Sequence, residues 1–440
     1  MAAVIPAGIA DGRVLWIGSA GNADDLSQQV TTITRTTRSP DLDAIIVGGG
    51  VAGLWLLNQL THDGHQCLLF ESGALGGEQT LASQGMVHGG IKYTLGGALT
   101  GASEAIADMP ARWRQALAGQ GPVDLSGLKV LADRYYLFAE GNSLGKLTGF
   151  FASKALRGRI ERLQPADYPA GLNGFDGVVY GLPDFVVDAR QLLEQLQKPV
   201  TDRTYQLEVN GENLGRTDDD LWSLQLPEGE PELTARRLIL CAGAGNGPLI
   251  DSMNLSQPKM QLRPLHQVLV WHPDLTPLYA HCVTGIRRPE PRLTITSHED
   301  GQGRVLWYLG GAIATTGIKR STAAQIAAAR KELSRCVPWL DWSKAEFETL
   351  RIDRAEPVQL GGSRPDEAYL FSVSGHDDAA GLNKAPCHVC WPTKLSLAPD
   401  LADRVSIEMK TDETPQTSGR DISSLPLPTA VPGRPPWVHQ

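Results

Sequence analysis

Three glycines near the amino terminus constrain the fold more than any other feature of the sequence. Gly48, Gly50 and Gly53 form the pattern G-x-G-x-x-G. An apolar run at residues 44–47 precedes them, helical spacing follows, and a second apolar run occupies residues 67–70. This order predicts a strand, a tight turn, a helix and a parallel strand. Such a unit opens a doubly wound parallel sheet that binds a dinucleotide.

Each glycine of the pattern has its own predicted role. Gly48 permits a sharp turn, Gly50 lets a pyrophosphate approach the backbone, and Gly53 lets the helix pack closely on the strand. The N–H groups at the start of the helix then face the phosphates. Glu71 ends the second strand, where a carboxylate accepts hydrogen bonds from ribose hydroxyls and repels a 2′-phosphate.

The composition is that of an ordinary globular protein and excludes several classes of function. The 440 residues are enough for two structural units. The composition, with 42% hydrophobic and 20% charged residues, is typical of a globular protein. The net charge of −9 argues against a nucleic-acid partner, because phosphate binding needs a basic face. No apolar stretch approaches the roughly 20 residues of a membrane span. Residues 1–40 carry acidic residues and are predicted to be a polar leader without a targeting signal.

The six cysteines do not predict a disulfide framework. Cys67 and Cys241 lie in apolar runs, where free thiols act as small hydrophobic groups. This usage indicates a reducing, cytoplasmic setting. Cys387 and Cys390 form C-x-x-C, which suits a redox pair or half of a metal site. Because no second ligand pair completes a zinc site, no metal is expected.

Two further regions extend the pattern of a nucleotide-binding protein with a second domain. Residues 73–97 contain eight glycines and are predicted to be a loop held by something outside itself, such as a planar cofactor. The strand at 237–241 leads into small residues, as expected beside a nucleotide. Between residues 261 and 313, β-forming runs alternate with Pro and Gly turn signals, which predicts an antiparallel sheet.

Together these features resemble the FAD-dependent oxidoreductases of the D-amino-acid oxidase superfamily, which includes glycine oxidase and FAD-linked glycerol-3-phosphate dehydrogenases. The resemblance covers about residues 42–408, and its most specific part is the opening unit with Glu71. Residues 83–93, SQGMVHGGIKY, resemble the loop that passes the isoalloxazine in the glycerol-3-phosphate branch, with Lys92 where arginine is commoner. The strand LILCAGAG resembles the second nucleotide-side strand of the family.

The resemblance implies FAD as cofactor. Residues 391–399, WPTKLSLAP, resemble the final turn and helix start beneath the flavin O2, where the family usually has glycines. Lys394 would place a cation where reduced flavin develops negative charge. The residues expected to contact FAD are Gly48, Gly50, Val51, Ala52, Gly53, Glu71, Ser72, Ser83, Gln84, Gly85, Val209, Ala242, Gly243, Thr393, Lys394 and Leu395.

The resemblance also suggests how a substrate is held. GGSRP, residues 361–365, resembles the G-x-R-P of the amino-acid and glycine oxidases, whose arginine holds the substrate carboxylate. That role carries onto Arg364, because a guanidinium pairs with a carboxylate through two parallel hydrogen bonds. Arg351 and Arg354 are alternative clamps, and a structural role for any of these arginines is the other interpretation.

A hydroxyl substrate also needs a base. Histidine is suited to this near neutral pH, with His88 of the flavin loop as first choice and His266 as second. An amine substrate can enter deprotonated and needs none. The expected catalytic set is therefore His88, Arg364, Lys394 and His266.

We therefore expect an α/β protein, α+β in its two-domain arrangement. A Rossmann-like FAD-binding domain with a parallel sheet is followed by a substrate domain with an antiparallel sheet. The predicted segments are a leader at 1–40, the FAD-binding domain at 41–110, 181–255 and 355–410, the substrate domain at 111–180 and 256–354, and a proline-rich arm at 411–440.

The expected function is oxidation of a small anionic substrate by hydride transfer to flavin N5. The substrate is an amino acid or amine, or a 2-hydroxy acid or polyol phosphate, and the electron acceptor is oxygen, a quinone or a carrier protein. Two alternatives are a disulfide-type reductase using Cys387 and Cys390, and a non-catalytic flavin-binding protein whose proline-rich arm docks a partner.

Overall fold

The computed structural model describes residues 39–90, 106–139, 160–227, 230, 232–283, 290–358, 367–375, 384–410, 417 and 425–438, together with two short strands nearer the amino terminus. Residues Met1–Ser39 form one compact unit and Pro40–Gln440 another. The first unit contains an antiparallel pair of strands in which Ile9 lies opposite Val14. Lys92, Tyr93 and Arg364 lie outside the described residues.

The strands of the described residues follow in chain order. They are β1 (Pro6–Ala10), β2 (Arg13–Trp16), β3 (Leu42–Val47), β4 (Cys67–Glu71), β5 (Met86–Val87), β6 (Val130–Ala132), β7 (Tyr135–Ala139), β8 (Glu161–Arg162), β9 (Val179–Leu182), β10 (Phe185–Val187), β11 (Thr204–Gln206), β12 (Leu214–Arg216), β13 (Trp222–Leu224), β14 (Leu233–Leu240), β15 (Met260–Trp271), β16 (Ala280–Val283), β17 (Leu293–Glu299), β18 (Val305–Gly310), β19 (Glu346–Pro357), β20 (Tyr369–Gly375) and β21 (Lys384–Trp391).

The helices of the same residues are α1 (Val51–His62), α2 (Met109–Leu117), α3 (Ala189–Gln197), α4 (Asn246–Ser252), α5 (Ala312–Thr316), α6 (Thr322–Cys336) and α7 (Ala398–Lys410). Short 3-10 turns occupy Pro165–Asp167, Ala170–Leu172, Lys198–Arg203, Gly243–Gly245, Trp342–Lys344 and Leu395–Leu397. Among these described helices, none is both long and apolar enough to cross a membrane.

The first large sheet has the strand order β11-β4-β3-β14-β13-β12, and β21 joins it beside β14. The pairs β3–β4, β4–β11, β3–β14 and β14–β21 are parallel, whereas β13 and β20 run antiparallel to their neighbours. The predicted parallel sheet of a doubly wound fold is thereby confirmed. Its strand β3 is buried on both faces, because Ala44 and Ile46 enter one core cluster and Ile45 and Val47 another. Burial on both faces explains the continuous apolar run in the sequence.

The second large sheet has the order β19-β15-β18-β17-β16-β7-β9-β8, and only β16 and β7 of this path pair in parallel. The predicted antiparallel sheet is therefore confirmed. Along β15, Val268 and Val270 pack in a core cluster with residues of α5 and α6. Leu269 and Trp271 belong to a different cluster on the opposite face, together with Tyr308. This alternation decides which side chains can face the first sheet. The residue boundaries of the two predicted domains stay a prediction.

A small three-stranded sheet, β5-β10-β6, holds the predicted flavin loop. Val87 of the glycine-rich segment lies opposite Phe185 of β10, and Val186 lies opposite Ala132 of β6. The glycine-rich sequence does not form this pairing by itself, because its glycines favour loop. The pairing depends on β10, which supplies an apolar strand that is entirely buried.

The proline-rich segment corrects one expectation. The sequence predicts residues 411–440 to be an extended arm outside the core, but within 425–438 Ala430 and Trp437 are buried at 0% and 4% exposure. The Gln206 N–H donates to the Pro428 carbonyl at 2.7 Å, so the segment lines the edge of β11. Prolines prevent a regular strand there, yet the unpaired groups of an edge strand accept such a segment.

Candidate functional site

The glycine turn leaves no room for side chains at two positions. Gly48 has φ of 109°, and a Cβ built on it would lie 2.5 Å from Ala242 Cα. A Cβ on Gly53 would lie 2.0 Å from the carbonyl oxygen of Gly48. Both distances are below any real contact, so α1, β3 and the end of β14 meet at this turn only because these residues are glycines.

Gly50 differs from the other two glycines because there is free space where its side chain would lie. Among the described residues, only Thr80 Oγ1, at 3.2 Å, would lie near a Cβ built on Gly50. The Val51 N–H donates to the same hydroxyl at 3.2 Å. A helix start has several such amides, and an anion that approaches at Gly50 meets their positive end. The turn therefore fits a dinucleotide pyrophosphate, with Thr80 at its edge.

Glu71 is fixed at the end of β4 by main-chain donors. Its Oε2 accepts from the Gly49 N–H at 2.7 Å, and its Oε1 accepts from the Gly73 N–H at 3.0 Å. The exposed Ser72 hydroxyl also donates to Oε1, at 3.2 Å. A carboxylate offers about four acceptor positions. Since an exposed hydroxyl can turn away, the oriented carboxylate keeps capacity for the hydroxyls of a ribose.

Val209 lies close in the chain to the strand beside Glu71. The Leu207 N–H, just beyond β11, donates to the Glu71 carbonyl at 2.9 Å. Val209 itself is 8% exposed and packs in the core cluster on the face of the sheet that includes Ile45. The structure therefore places Val209 just beyond β11, the strand that pairs with β4, whose last residue is Glu71.

The end of β14 is organised by an asparagine that sequence analysis missed. Asn246, which is fully buried, accepts from the Ala242 N–H through Oδ1 at 2.8 Å and donates to the Cys390 carbonyl at 3.1 Å. Gly243 has φ of 58°, and its carbonyl accepts from Trp391 Nε1 at 3.0 Å. The structure thus places Ala242 against the Gly48 turn, and Gly243 follows it in the chain. The sequence signal that could have identified Asn246 is its position after a strand and four small residues, 242–245.

His88 is joined to the end of the first domain through a serine. The His88 N–H donates to Ser396 Oγ at 3.1 Å, and Trp113 Nε1 donates to the Ser396 carbonyl at 2.9 Å. The Gly89 N–H donates to Asp184 Oδ1 at 3.0 Å. His88 is 7% exposed. The loop that carries His88 therefore meets the turn that carries Lys394.

The turn before α7 contains a residue in a conformation that favours glycine. Thr393 has φ of 59°, and its hydroxyl donates to the Glu367 carbonyl at 2.9 Å. The Lys394 N–H then donates to the Pro392 carbonyl at 2.6 Å, and the 3-10 turn from Leu395 follows. The family that the sequence resembles usually has glycines in this turn, and glycine is the residue that a left-handed backbone favours. That conformation costs about 1–2 kcal/mol in a residue with a Cβ.

The flavin loop docks on the second sheet through Gln84. Its Nε2 donates to the Tyr308 carbonyl at 2.9 Å and lies 3.2 Å from the Thr294 carbonyl. In return, the Tyr308 hydroxyl donates to the Ala82 carbonyl at 2.9 Å. Burial raises the pKa of Tyr308 well above its ordinary value, which keeps this hydroxyl protonated. Any contact of Gln84 with a cofactor must come from its amide oxygen or backbone.

Ser83 and Gly85 form the turn on either side of Gln84. The Gly85 N–H donates to Ser83 Oγ at 3.3 Å, and Gly85 has φ of 65°. A Cβ on Gly85 would lie 2.1 Å from the Val187 carbonyl oxygen, so glycine is required for the loop to pair with β10.

The structure does not bring His266 to His88. The His266 side chain is fully buried, and its Nδ1 lies 3.0 Å from the Gly317 carbonyl, beyond α5. The next residue, Gln267, accepts from the Tyr308 hydroxyl on the opposite face of the sheet. His266 therefore faces the helices that cover the second sheet. This placement removes geometric support for its predicted role as a base.

The two alternative clamps are engaged with main-chain oxygens. Arg351 donates to the carbonyls of Ile318 and Arg320 at 3.0 and 2.8 Å. Arg354 donates to the Arg263 carbonyl at 3.4 Å. These contacts give both guanidinium groups structural roles. Arg364 therefore stays the preferred candidate for binding the substrate anion.

The C-x-x-C cysteines lie on opposite faces of β21. Cys387 packs in the core cluster with Ile45, and Cys390 packs in the cluster on the other face with Ile46. Both thiols are free and buried. Burial raises the pKa of Cys387 to about 12 and that of Cys390 well above its ordinary value. Within the described residues, no group of histidines, cysteines and acids could hold a metal ion.

The chain is similar to known FAD-dependent enzymes over most of its length. The family model described as FAD dependent oxidoreductase matches residues 43–382. A probable FAD-dependent oxidoreductase of Pseudomonas aeruginosa is 44% identical over 398 residues, which cover 90% of this chain and 97% of that protein. A crystal structure of an FAD-dependent oxidoreductase from the same species aligns with a TM-score of 0.73 and 39% identity, covering 91% and 98% of the two chains.

More distant solved structures share the fold. Glycine oxidase from Geobacillus kaustophilus aligns with a TM-score of 0.57 at 19% identity, covering 85% of this chain and 95% of its own. L-α-glycerophosphate oxidase from Mycoplasma pneumoniae, solved with FAD bound, aligns with a TM-score of 0.59 at 14% identity, covering 88% and 99%.

Proposed function

Because this chain belongs to the D-amino-acid oxidase (DAO) family of FAD-dependent oxidoreductases, we propose that it oxidises a small anionic substrate at a C–N or C–OH bond. The substrate is an amino acid or amine, or a 2-hydroxy acid or polyol phosphate. FAD, when bound, supplies a hydride acceptor at N5. The protein's part is to hold the substrate carbon, neutralise the substrate charge and manage one proton.

One observation carries the proposal: Ser396 joins the His88 loop to the Lys394 turn, through the hydrogen bond of 3.1 Å from the His88 N–H. Because Ser396 follows Lys394 by two residues, the contact brings the backbone of the His88 loop to the turn that carries Lys394. This supports a site that uses a proton acceptor and a cation together. His88 takes the proton of a hydroxyl substrate, and Lys394 favours negative charge nearby. Arg364 is the proposed anion clamp.

The cofactor is held by the residues of the first sheet. The open side of Gly50 and the start of α1 receive the pyrophosphate, and the oriented Glu71 receives the ribose hydroxyls. The end of β14, with Ala242 and Gly243, closes the other side of the same turn. Thr80 belongs to this set, because its hydroxyl fixes the first amide of α1.

The names of two proteins of the same fold support the substrate class. One is an oxidase of glycine and the other an oxidase of L-α-glycerophosphate, both of which are small molecules that carry a negative group. The two differ in whether a C–N or a C–OH bond is oxidised. We therefore keep both bond types in the proposal, and the experiment must separate them.

The test is anaerobic mixing of the FAD-loaded protein with glycine, iminodiacetate, lactate and glycerol phosphate in turn. We expect loss of the flavin absorbance near 450 nm with at least one of them, at a rate that saturates with concentration. Readmission of oxygen then shows whether oxygen is the electron acceptor or a quinone or carrier is needed. A flavin that stays oxidised with a broad panel of amino and hydroxy acids would contradict the proposal.

Two alternatives have less support. A disulfide-type reductase needs two thiols that can meet, and Cys387 and Cys390 occupy opposite faces of β21. A non-catalytic protein that docks a partner through its proline-rich segment needs that segment to be available. The part at 425–438 instead packs on its own chain, with Ala430 and Trp437 buried.

We also propose a cytoplasmic setting. All six cysteines of the chain lie among the described residues, where they are buried and form no disulfide. Free thiols persist where the surroundings are reducing. Fractionation of the native host, with the protein followed by antibody, tests this, and recovery outside the cytoplasm would contradict it.

A further inference from the structure

The carboxyl-terminal segment, residues 425–438, contacts the loop that supports the glycine turn. Leu75 is the centre of this contact and is fully buried. Its N–H donates to the Val431 carbonyl at 2.8 Å, and its carbonyl accepts from the Gly433 N–H at 3.0 Å. Leu75 and Pro432 thus form a short parallel bridge. Both main-chain groups of Leu75 are satisfied by the segment.

Leu75 in turn packs against the glycine turn. A Cβ built on Gly49 would lie 2.3 Å from Leu75 Cδ2, and the Gly76 N–H donates to the Gly49 carbonyl at 3.0 Å. The N–H of the same Gly49 donates to Glu71 Oε2 at 2.7 Å. The segment is therefore connected to the proposed ribose carboxylate through Leu75 and Gly49.

The part of the segment that precedes its contacts with Leu75 is anchored on the edge of the first sheet. The Gln206 N–H donates to the Pro428 carbonyl at 2.7 Å, and the Ala430 N–H donates to the Thr204 carbonyl at 3.2 Å. Ala430 is fully buried, and Gln197 donates to its carbonyl. These contacts fix the position from which the segment reaches Leu75.

The part of the segment that follows its contacts with Leu75 is anchored on the second sheet. The Trp437 ring centroid lies 4.3 Å from that of His298 and 5.1 Å from that of Tyr308. Burial lowers the pKa of His298 to about 3, so the ring beside Trp437 is neutral near neutral pH. Tyr308 is the residue whose hydroxyl holds Ala82 of the flavin loop. The segment thus contacts the first sheet near its start and the second sheet near its end. Between these two anchors it contacts Leu75.

We propose that residues 425–438 form a strap that holds Leu75 as a positioning residue for the cofactor and so sets the affinity for FAD. The inference rests on the proposed placement of FAD at Gly50 and Glu71. The strap fixes Gly49 and Glu71 before the cofactor arrives. Without it, the Leu75 loop must be ordered on binding, and that ordering lowers affinity.

A matched pair of substitutions at Gly433 tests the strap. Gly433→Ala and Gly433→Pro both add a Cβ, which would lie 2.9 Å from the flexible end of Leu81. Only proline also removes the N–H that donates to Leu75. We expect the dissociation constant for FAD, titrated by quenching of flavin fluorescence, to be about threefold to tenfold higher for the proline than for the alanine variant. Circular dichroism must show both variants folded at the assay temperature.

A chain that ends at Ser424 gives a second readout. It should lose flavin during dialysis, and a synthetic peptide of residues 425–438 should restore the retention. Equal dissociation constants for the two Gly433 variants would overturn the strap, as would wild-type affinity in the shortened chain. Glu71→Ala, measured in parallel, separates the two proposals. If it too leaves the dissociation constant unchanged, the placement of FAD is wrong, whereas an effect of Glu71→Ala alone overturns only the strap.

Discussion

Glu71 is oriented by main-chain amides from two sides, since Gly49 and Gly73 donate to different oxygens of its carboxylate. The carboxylate is thus fixed before it meets any hydroxyl group. A fixed acceptor gains more from a ligand hydrogen bond than a mobile one, because less side-chain entropy is lost on binding. At the scale of single residues, this makes Glu71 the most direct test of the cofactor site.

Replacement of Glu71 by alanine should weaken FAD binding. A hydrogen bond to a charged group contributes about 1.5–3 kcal/mol, so we expect the dissociation constant to rise roughly tenfold to a hundredfold. Titration of the flavin-free protein measures it. Glu78→Ala is the control, since Glu78 is an exposed acid in the same loop and its loss changes the net charge equally. Equal effects of both substitutions would assign the loss to charge and not to the ribose contact.

His88 and His266 give opposite expectations as proton acceptors. His88→Asn should slow flavin reduction by a hydroxy acid by about 10²-fold or more, which is the usual contribution of a general base. His266→Asn should leave the rate and its pH profile unchanged once the variant is shown to be folded, because His266 faces α5 and α6. Stopped-flow reduction across pH measures both. A larger loss in the His266 variant would place the base on the second sheet.

At the scale of the element, β21 shows how a strand separates residues that are close in sequence. Side chains of a strand alternate between the two faces, so positions three apart point in opposite directions. Cys387 and Cys390 stand in this relation, and each is buried in a different core cluster. Two cysteines at C-x-x-C spacing can form a disulfide when they lie in a turn or at the start of a helix, where their side chains can meet. In β21 the two side chains point to opposite faces and cannot meet.

The thiol of Cys387 should resist alkylation in the folded protein. Burial raises its pKa to about 12, so at pH 8 almost none of it is the reactive thiolate, and reactivity should rise only as the pH approaches 12. Iodoacetamide at pH 8, followed by mass spectrometry, should leave Cys387 unmodified in the native protein and label it in urea. Labelling of the native protein within minutes would show that β21 opens or that the thiol is exposed.

At the scale of the whole molecule, the predicted cofactor site draws on distant parts of the chain. The turn at Gly48 packs against Ala242, the loop at Ala82 is held by Tyr308 of the second sheet, and Leu75 is held by the strap. A ligand that binds here stabilises the folded state and not the unfolded chain. Cofactor binding should therefore be visible in global stability.

Removal of FAD should lower the unfolding temperature. At a concentration of FAD about 100 times its dissociation constant, the stabilisation is about 2.7 kcal/mol. Differential scanning fluorimetry of the flavin-free protein should show a midpoint that rises with each added concentration of FAD, and a flavin-binding variant such as Glu71→Ala should need more FAD for the same shift. Equal additions of buffer without FAD are the control. A midpoint that does not respond to FAD would mean that the site does not bind it.

The first sheet and its turn were predictable because their determinants are local. The strand, glycine pattern, helix and Glu71 occupy one stretch of sequence, and each glycine is required by contacts that a Cβ would prevent. The second sheet was predictable in type from its alternation of β-forming residues and turns. The role of Thr80 was not, because it depends on a hydrogen bond to Val51, 29 positions away.

The sequence alone therefore determined the parallel dinucleotide sheet, the antiparallel partner sheet and membership of a flavoenzyme family, since these depend on periodicity and on short motifs. Only the tertiary structure decided that His88 meets Ser396, 308 positions later, that His266 faces the covering helices, and that the proline-rich segment returns to the core. The physical reason is the same in each case. A side chain's face and its long-range partner are fixed by how the two sheets and the loops between them pack, and no local pattern specifies that packing.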